Sequence, residues 1–274
     1  MNEEIQRLRD ELECDQGADS FATWIERDLR AVALYQSHGA VAFAAKRGVY
    51  RPDDQWFDLD AVPEDCLWQL ETRKPIQVID TVFAPIADEV PSFVRAMKEV
   101  CRIVVAHLNA EGRWTLDYCL EATRDRAMWR MDPEGSNPVT YMMGGPPNAN
   151  PTLSPAAVAA GWSNVPTQLA RWSAVHDGFG NSQTDWGVCT ILPVHRVEPL
   201  NETKPEWLDL YCDGSGDRVI LLRDKAEDSL VVEWDHETDE LGDPMPFFEH
   251  IDRDWALEIL NLDEYDFPQG PFED

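Results

Sequence analysis

The chain reads as an α+β protein: a C-terminal antiparallel sheet with helices packed on one side, preceded by a small α/β or α+β domain. Three observations predict it. Eleven Trp and 43% hydrophobic residues supply apolar surface for a core, despite 52 Asp and Glu against 23 Lys and Arg and a formal charge of −29. Acidic chains that stay unfolded are poor in aromatics and cannot offset chain entropy by burial. Three or four short strand-like runs with tight polar turns lie between residues 189 and 235, and a helical segment at 246–260 follows them, the order of a sheet closed by a helix. Finally, Pro, Gly and Asn crowd residues 131–159, dividing the chain into 1–130 and 160–274. Neither helix nor strand is expected to run through that linker or long loop.

In the first part, residues 20–36 place Phe21, Trp24, Ile25, Leu29 and Val32 at roughly helical spacing behind Ser20, a suitable N-cap. Residues 40–48 fit either a short buried strand or the end of that helix. A second helix is expected over 90–110, with Pro91 near its start, a stripe of Phe93, Met97, Val100, Val104 and Leu108, and a turn at Gly112. Residues 114–122, WTLDYCLEA, alternate as a strand does.

In the second part, a helix around 166–176 runs into Asp177-Gly178-Phe179-Gly180, where reversal favours glycine at positive φ. CTILPV (189–194), LDLYCD (208–213), RVILLRD (218–224) and SLVVEWD (229–235) read as strands. Gly214-Ser215-Gly216, flanked by Asp213 and Asp217, suits a hairpin connection. Ile251, Trp255 and Leu260 give the closing helix an apolar side.

Taken in order, VPTQLARWSAVHDGFG (165–180), ILPVHRVEPL (191–200), LYCDGSGDRVILL (210–222), VVEWDHET (231–238) and FFEHIDRDWALEIL (247–260) resemble the SUKH superfamily of SMI1/KNR4-like domains. The likeness covers roughly residues 160–262. It departs from the common pattern where His176-Asp177-Gly178 stands in place of a more usual Asn-Gly. It implies an α+β fold and, for bacterial members, an immunity protein that neutralises a polymorphic toxin, often a nuclease. Such domains have no common catalytic residues, so no catalytic residue is carried over.

The residues themselves offer little chemistry. The six cysteines, Cys14, Cys66, Cys101, Cys119, Cys189 and Cys212, form no C-x-x-C pair, which removes the common zinc signatures and any disulfide framework. Reduced thiols in a cytoplasmic protein are the plain reading. The charged first residues, MNEEIQRLRDELE, show no secretory signal, and no apolar run approaches the roughly 20 residues of a membrane span. A charge of −29 opposes direct binding to nucleic acid and to anionic membranes. Phosphate-loop, nucleophile-elbow, dinucleotide and H-E-x-x-H motifs are missing from the chain. Oxygen ligands at Asp213 and Asp217 could hold a divalent cation, but they lack the spacing of a calcium loop, and a hairpin turn explains them better. His236 between Asp235 and Glu237 has the neighbours of a general base without a nucleophile. The chain is expected to be no enzyme and to need no cofactor or metal.

The charge is uneven, with a net of −19 from residue 151 onward against −10 before it. Acids are interleaved with rings in WDHETDELGD (234–243) and LDEYDF (262–267). Aromatic anchors in a charged rim are what tight interfaces use. The expected partner surface therefore comprises Asp213, Asp217, Glu233, Asp235, Glu237, Asp239, Glu240, Tyr265 and Phe267. The leading expectation is an immunity protein that blocks a cognate toxin with a basic surface, plausibly a nuclease, by occlusion. A regulatory scaffold of the SMI1/KNR4 type is the alternative, and a metal-dependent enzyme using His236, Asp213 and Asp217 a third reading.

Overall fold

The computed structural model describes residues 42–44, 55–57, 74–108, 114–121, 139–181, 190–212, 216–223 and 229–260. Two sheets and a layer of helices make up this part. The first sheet has the order β2-β1-β3-β4-β5-β6-β7, from strands β1 (Ala42–Ala44), β2 (Gln55–Phe57), β3 (Cys101–Leu108), β4 (Trp114–Glu121), β5 (Val139–Gly144), β6 (Phe179–Asn181) and β7 (Thr190–Ile191). Only the β1–β3 pair in it is parallel. The second sheet is antiparallel throughout, in the order β12-β11-β10-β9-β8. Its strands are β8 (Glu198–Pro199), β9 (Trp207–Cys212), β10 (Arg218–Leu222), β11 (Leu230–Asp235) and β12 (Glu240–Leu241), with β13 (Met245–Pro246) also on β11. The sheets meet where the Leu192 amide donates to the Leu210 carbonyl at 3.1 Å.

Helices α1 (Pro75–Phe83) and α2 (Pro91–Val100) each begin on a proline, whose missing N–H costs nothing at a helix start. The expected helix over 90–110 ends ten residues early, and β3 continues from Cys101. Ile103, Val104 and Val105 explain the switch, because successive β-branched side chains crowd a helical turn and suit a pleated surface. Val90, at the start of α2, offers no side-chain cap. Asp252 supplies one from 160 residues away: its Oδ1 accepts from the Ser92 amide at 2.6 Å and the Phe93 amide at 3.0 Å. A carboxylate there also complements the helix dipole.

Short helices α3 (Pro155–Ala159) and α4 (Thr167–Ser173) follow β5. Ser154 caps the first, its Oγ accepting from the Ala157 amide and donating to the Val197 carbonyl. The closing helix comprises α5 (Phe247–His250), a π-helical stretch over Ile251–Trp255 and α6 (Ala256–Leu260).

The sheet runs through the stretch expected to divide the chain. Residues 139–144 form β5, paired to β4 on one side and β6 on the other. The Pro/Gly-rich residues after it are pinned: the Gly145 amide donates to the Gly178 carbonyl at 2.8 Å, and the Asn148 amide to the Ser173 carbonyl at 2.8 Å. Here the glycines serve close packing rather than slack. A Cβ on Gly144 would lie 2.4 Å from the His176 ring, and one on Gly145 only 2.1 Å from the Asp177 carbonyl oxygen.

One core spans both sides of that stretch, running from Val78 to Leu260. Phe179, from the expected turn motif, sits at its centre. The rings of Phe83, Phe93, Tyr118, Trp172, His176 and Trp255 lie 5.5–6.2 Å from it, centroid to centroid. Removing a buried aromatic of this kind costs about 3–5 kcal/mol.

The strands expected at 208–213, 218–224 and 229–235 form within one or two residues of those bounds, as β9 to β11. The strand expected over 189–194 is shorter, because Pro193 starts a 3₁₀ turn at Val194–Arg196. Of residues 40–48, the structure describes Ala42–Ala44, which are a strand. The helix expected at 20–36, the turn at Gly112 and the C-terminal run from 262 lie outside the described residues.

Candidate functional site

The motif residues around 176–180 fold into an internal staple. His176 is fully buried, with its Nδ1 2.8 Å from the Gly145 carbonyl oxygen and its Nε2 2.8 Å from the Tyr118 hydroxyl. A carbonyl can only accept, so Nδ1 carries the proton and Nε2 accepts from Tyr118. Burial pushes the imidazole down to about 4, against a smaller opposing effect of the Gly145 hydrogen bond. Asp177 is also buried; its carboxylate accepts from the Val194 amide at 2.8 Å and the Asn148 side-chain amide at 3.0 Å. Gly178 has φ +95°, and a Cβ there would press on Pro193 at 2.9 Å. His176, Asp177 and Gly178 therefore work as core and turn.

The candidate binding surface is the hairpin of β11 and β12, where the acids gather. Its register pairs Trp234 with Leu241 and Asp235 with Glu240, and the Gly242 amide donates to the Glu233 carbonyl at 2.9 Å. Asp235 builds the turn, its Oδ1 accepting from the Glu237 and Thr238 amides at 2.7 and 3.0 Å. These bonds, that of Thr238 first, lower its carboxyl below the usual range. Asp239 takes the left-handed conformation that closes the turn, at φ 59°.

A lysine from elsewhere in the chain braces this hairpin. The Asn201 carboxamide oxygen accepts from the amides of Thr203 and Lys204, both at 2.9 Å, fixing the loop before β9. The Lys204 ammonium then lies 4.1 Å from the centre of the Trp207 ring and 5.0 Å from that of Trp234, and pairs with Asp239. The Trp234 indole N–H donates to the same carboxylate at 2.7 Å. Hydrogen bonds from Lys204 and Trp234 hold Asp239 below the usual carboxyl range.

On the other side of the hairpin, His236 donates from its amide and from Nδ1 to Asp217 Oδ1, at 3.1 and 2.8 Å. The Asp217 hydrogen bond raises the His236 imidazole, with Glu237 and Asp235 adding to it. Gly216 leaves room for that ring; a Cβ would meet it at 2.7 Å.

The hairpin sorts the expected surface residues. Asp217, Asp235 and Asp239 are bound into holding it, whereas Glu233, Glu237 and Glu240, joined by Asp243 outside that set, are exposed and form no ion pair with the described residues. Asp213, Tyr265 and Phe267 lie outside the described residues. A cavity of about 400 Å³ opens beside Trp234, with Tyr211 and Val219 on its inner side and Glu233 and Glu240 toward solvent.

Among the described residues, two clusters bring together possible metal donors: Asp217, Asp235 and His236, and Glu233, His250 and Asp254. In both, the histidine is already engaged. The buried His250 has Nδ1 2.5 Å from Asp254 and Nε2 2.8 Å from the Tyr211 hydroxyl. Burial would raise Asp254, but hydrogen bonds from His250 and Arg253 outweigh it and lower the carboxyl. The arrangement reads as a carboxylate–imidazole–phenol chain supporting β9 from the closing helix. Its only trace in the sequence is the i, i+4 spacing of His250 and Asp254. Lys204, far from the hairpin along the chain, left no trace at all.

No helix among the described residues is long and apolar enough to cross a membrane. Helices combined with antiparallel sheets place the chain in the α+β class. It matches no family model, no curated protein and no solved structure.

Proposed function

We propose that this chain is a binding protein that covers a cationic surface of a toxin, in the manner its SUKH-like segments imply for immunity proteins. One observation carries the reading. A braced hairpin displays Glu233, Glu237, Glu240 and Asp243 outward, while its other acids are consumed internally. A backbone braced this way presents its carboxylates without first being ordered, so less conformational entropy is lost on docking. On a chain of charge −29, they also speed encounter with a cation-rich protein. The resembling segments at 210–222, 231–238 and 247–260 overlap strands β9 to β11 and the closing helix, as a SUKH-like fold would require. A nuclease that grips phosphate with Lys and Arg has the kind of surface such a hairpin would occupy. No catalytic step is invoked.

The test is co-expression with the basic toxin domain encoded beside this chain. Rescue of growth is expected, together with a complex whose association rate falls as salt rises. Absence of both rescue and a complex would overturn the proposal.

A further inference from the structure

Three helix starts in this molecule have no cap of their own. Val90, Pro166 and Pro246 precede α2, α4 and α5 and offer no side-chain acceptor. Each start is completed from another element. The Ser229 Oγ accepts from the Gln168 amide in the first turn of α4 at 3.1 Å, and the Ser229 carbonyl accepts from the Phe247 amide at 3.0 Å. Gln168 in turn caps the closing helix, its Oε1 accepting from the Phe248 amide at 2.8 Å. The closing helix then sends Asp252 to the Ser92 and Phe93 amides of α2. We propose that these bonds make α4, the closing helix and the start of α2 one latch, keyed at Ser229, which opens and closes as a unit.

A helix start that loses its acceptor frays. Here two of the acceptors ride on helices themselves, so fraying of one start withdraws the cap of the next. Openings linked in that way are cooperative rather than local. Arg171 on α4 ties the same elements a second time. Its guanidinium donates to the Pro85 carbonyl at 3.2 Å, pairs with Glu89 at 2.6 Å, and lies 5.4 Å from the centre of the Phe248 ring. Pro85 and Glu89 belong to the connection between α1 and α2, so one side chain of α4 reaches both other members. Ser229 is buried and takes φ 54°, a left-handed conformation that a non-glycine residue holds against a steric cost. The two helix starts it completes hold it there. β11, which carries Glu233 and Trp234, begins at Leu230 beside Ser229, so the latch also anchors the root of the hairpin. By contrast, α3 is capped by its own Ser154 and stands outside the chain of bonds.

The experiment is native-state hydrogen exchange of the full chain, followed by NMR at low urea. In wild type, the Ser92, Phe93, Gln168 and Phe248 amides are expected to share one opening equilibrium. Its urea dependence should be smaller than that of the amides between β4 and β5, because less surface is exposed. Gln168→Met removes the acceptor at Phe248 and leaves Asp252 in place. Protection at Ser92 and Phe93 should nevertheless fall about fivefold, while the Val158 and Ala160 amides at α3 keep theirs. Asp252→Asn keeps an uncharged acceptor and runs the test in reverse. Protection at Phe248 should fall together with that at Ser92, since coupling between two sites is reciprocal. Ser92 and Phe93 unmoved by Gln168→Met, Phe248 unmoved by Asp252→Asn, or α3 amides falling in step would overturn the latch. So would a urea dependence equal to that of β4 and β5, which would mean that the whole chain opens at once.

Discussion

His176 and His236 both stand beside aspartates in the chain, yet they end in opposite conditions. His176 is sealed among Phe83, Tyr118 and Phe179, and burial drives its imidazole down to about 4, so it is neutral. His236 is exposed against Asp217, whose hydrogen bond raises it. A histidine next to a carboxylate along the chain therefore says nothing about its charge. What decides is whether water reaches the ring and where the neighbouring acid points. Asp177 turns away from His176 toward Asn148 and Val194, whereas Asp217 faces His236 directly. The first arrangement closes a seam between two parts of the core; the second holds a surface loop.

The sharpest way to break this contrast is at the seam. Gly145→Ala sets a methyl group against the Asp177 carbonyl and should cost about 3 kcal/mol or more, measured by urea unfolding. Gly242→Ala, in the hairpin, has open contacts no nearer than 3.6 Å and should leave the urea midpoint almost unmoved. Equal losses at the two sites would erase the distinction.

Titration separates the two histidines by sign. As pH falls from about 6.5 toward 4, the unfolded chain protonates His176 and the folded chain does not. Stability drains away over that window by roughly 3 kcal/mol. His236 runs the other way: its contribution is present below its ordinary value and lost as pH rises through the raised one. Urea unfolding of wild type and His176→Phe between pH 4 and 7 should show a shallower pH dependence in the variant. An unchanged slope would mean that the buried ring is not neutral in the folded chain.

Smaller effects belong to the hairpin. Glu237→Lys with Glu240→Lys should leave the unfolding midpoint in place but slow association with a basic partner about tenfold at low salt, read by stopped flow. A rate indifferent to both charge and salt would remove this surface from docking. The smallest change is expected for Lys204→Met. It frees Asp239 and uncovers Trp234, so the Trp234 indole N–H signal should move while the core aromatic signals stay in place.

These contrasts also show which parts of the fold were legible along the chain. The strands at 207–212, 218–222 and 230–235 could be read because their short apolar runs end at polar turns. The acids of the hairpin could be read as a group because they are contiguous. Strand β5 was hidden because Gly144-Gly145-Pro146-Pro147 looks like punctuation, and only the His176 ring reveals why glycine is needed there. The end of α2 was misplaced because Val104 and Leu108 continue its apolar stripe, although they belong to a strand. Lys204, Tyr211 and Arg218 reach the hairpin through pairing distant in sequence, and no local spacing announces such placement.

The reach of Asp252 has a bearing on biogenesis. During translation, the start of α2 leaves the ribosome long before the carboxylate that satisfies its Ser92 and Phe93 amides has been made. Until then the emerging polypeptide carries an unfinished helix end and half an aromatic nucleus, with Trp255 still to come. Final consolidation must wait for Asp252 and Trp255, so nascent chains stalled before residue 252 should be far more sensitive to protease than those that extend well past 260.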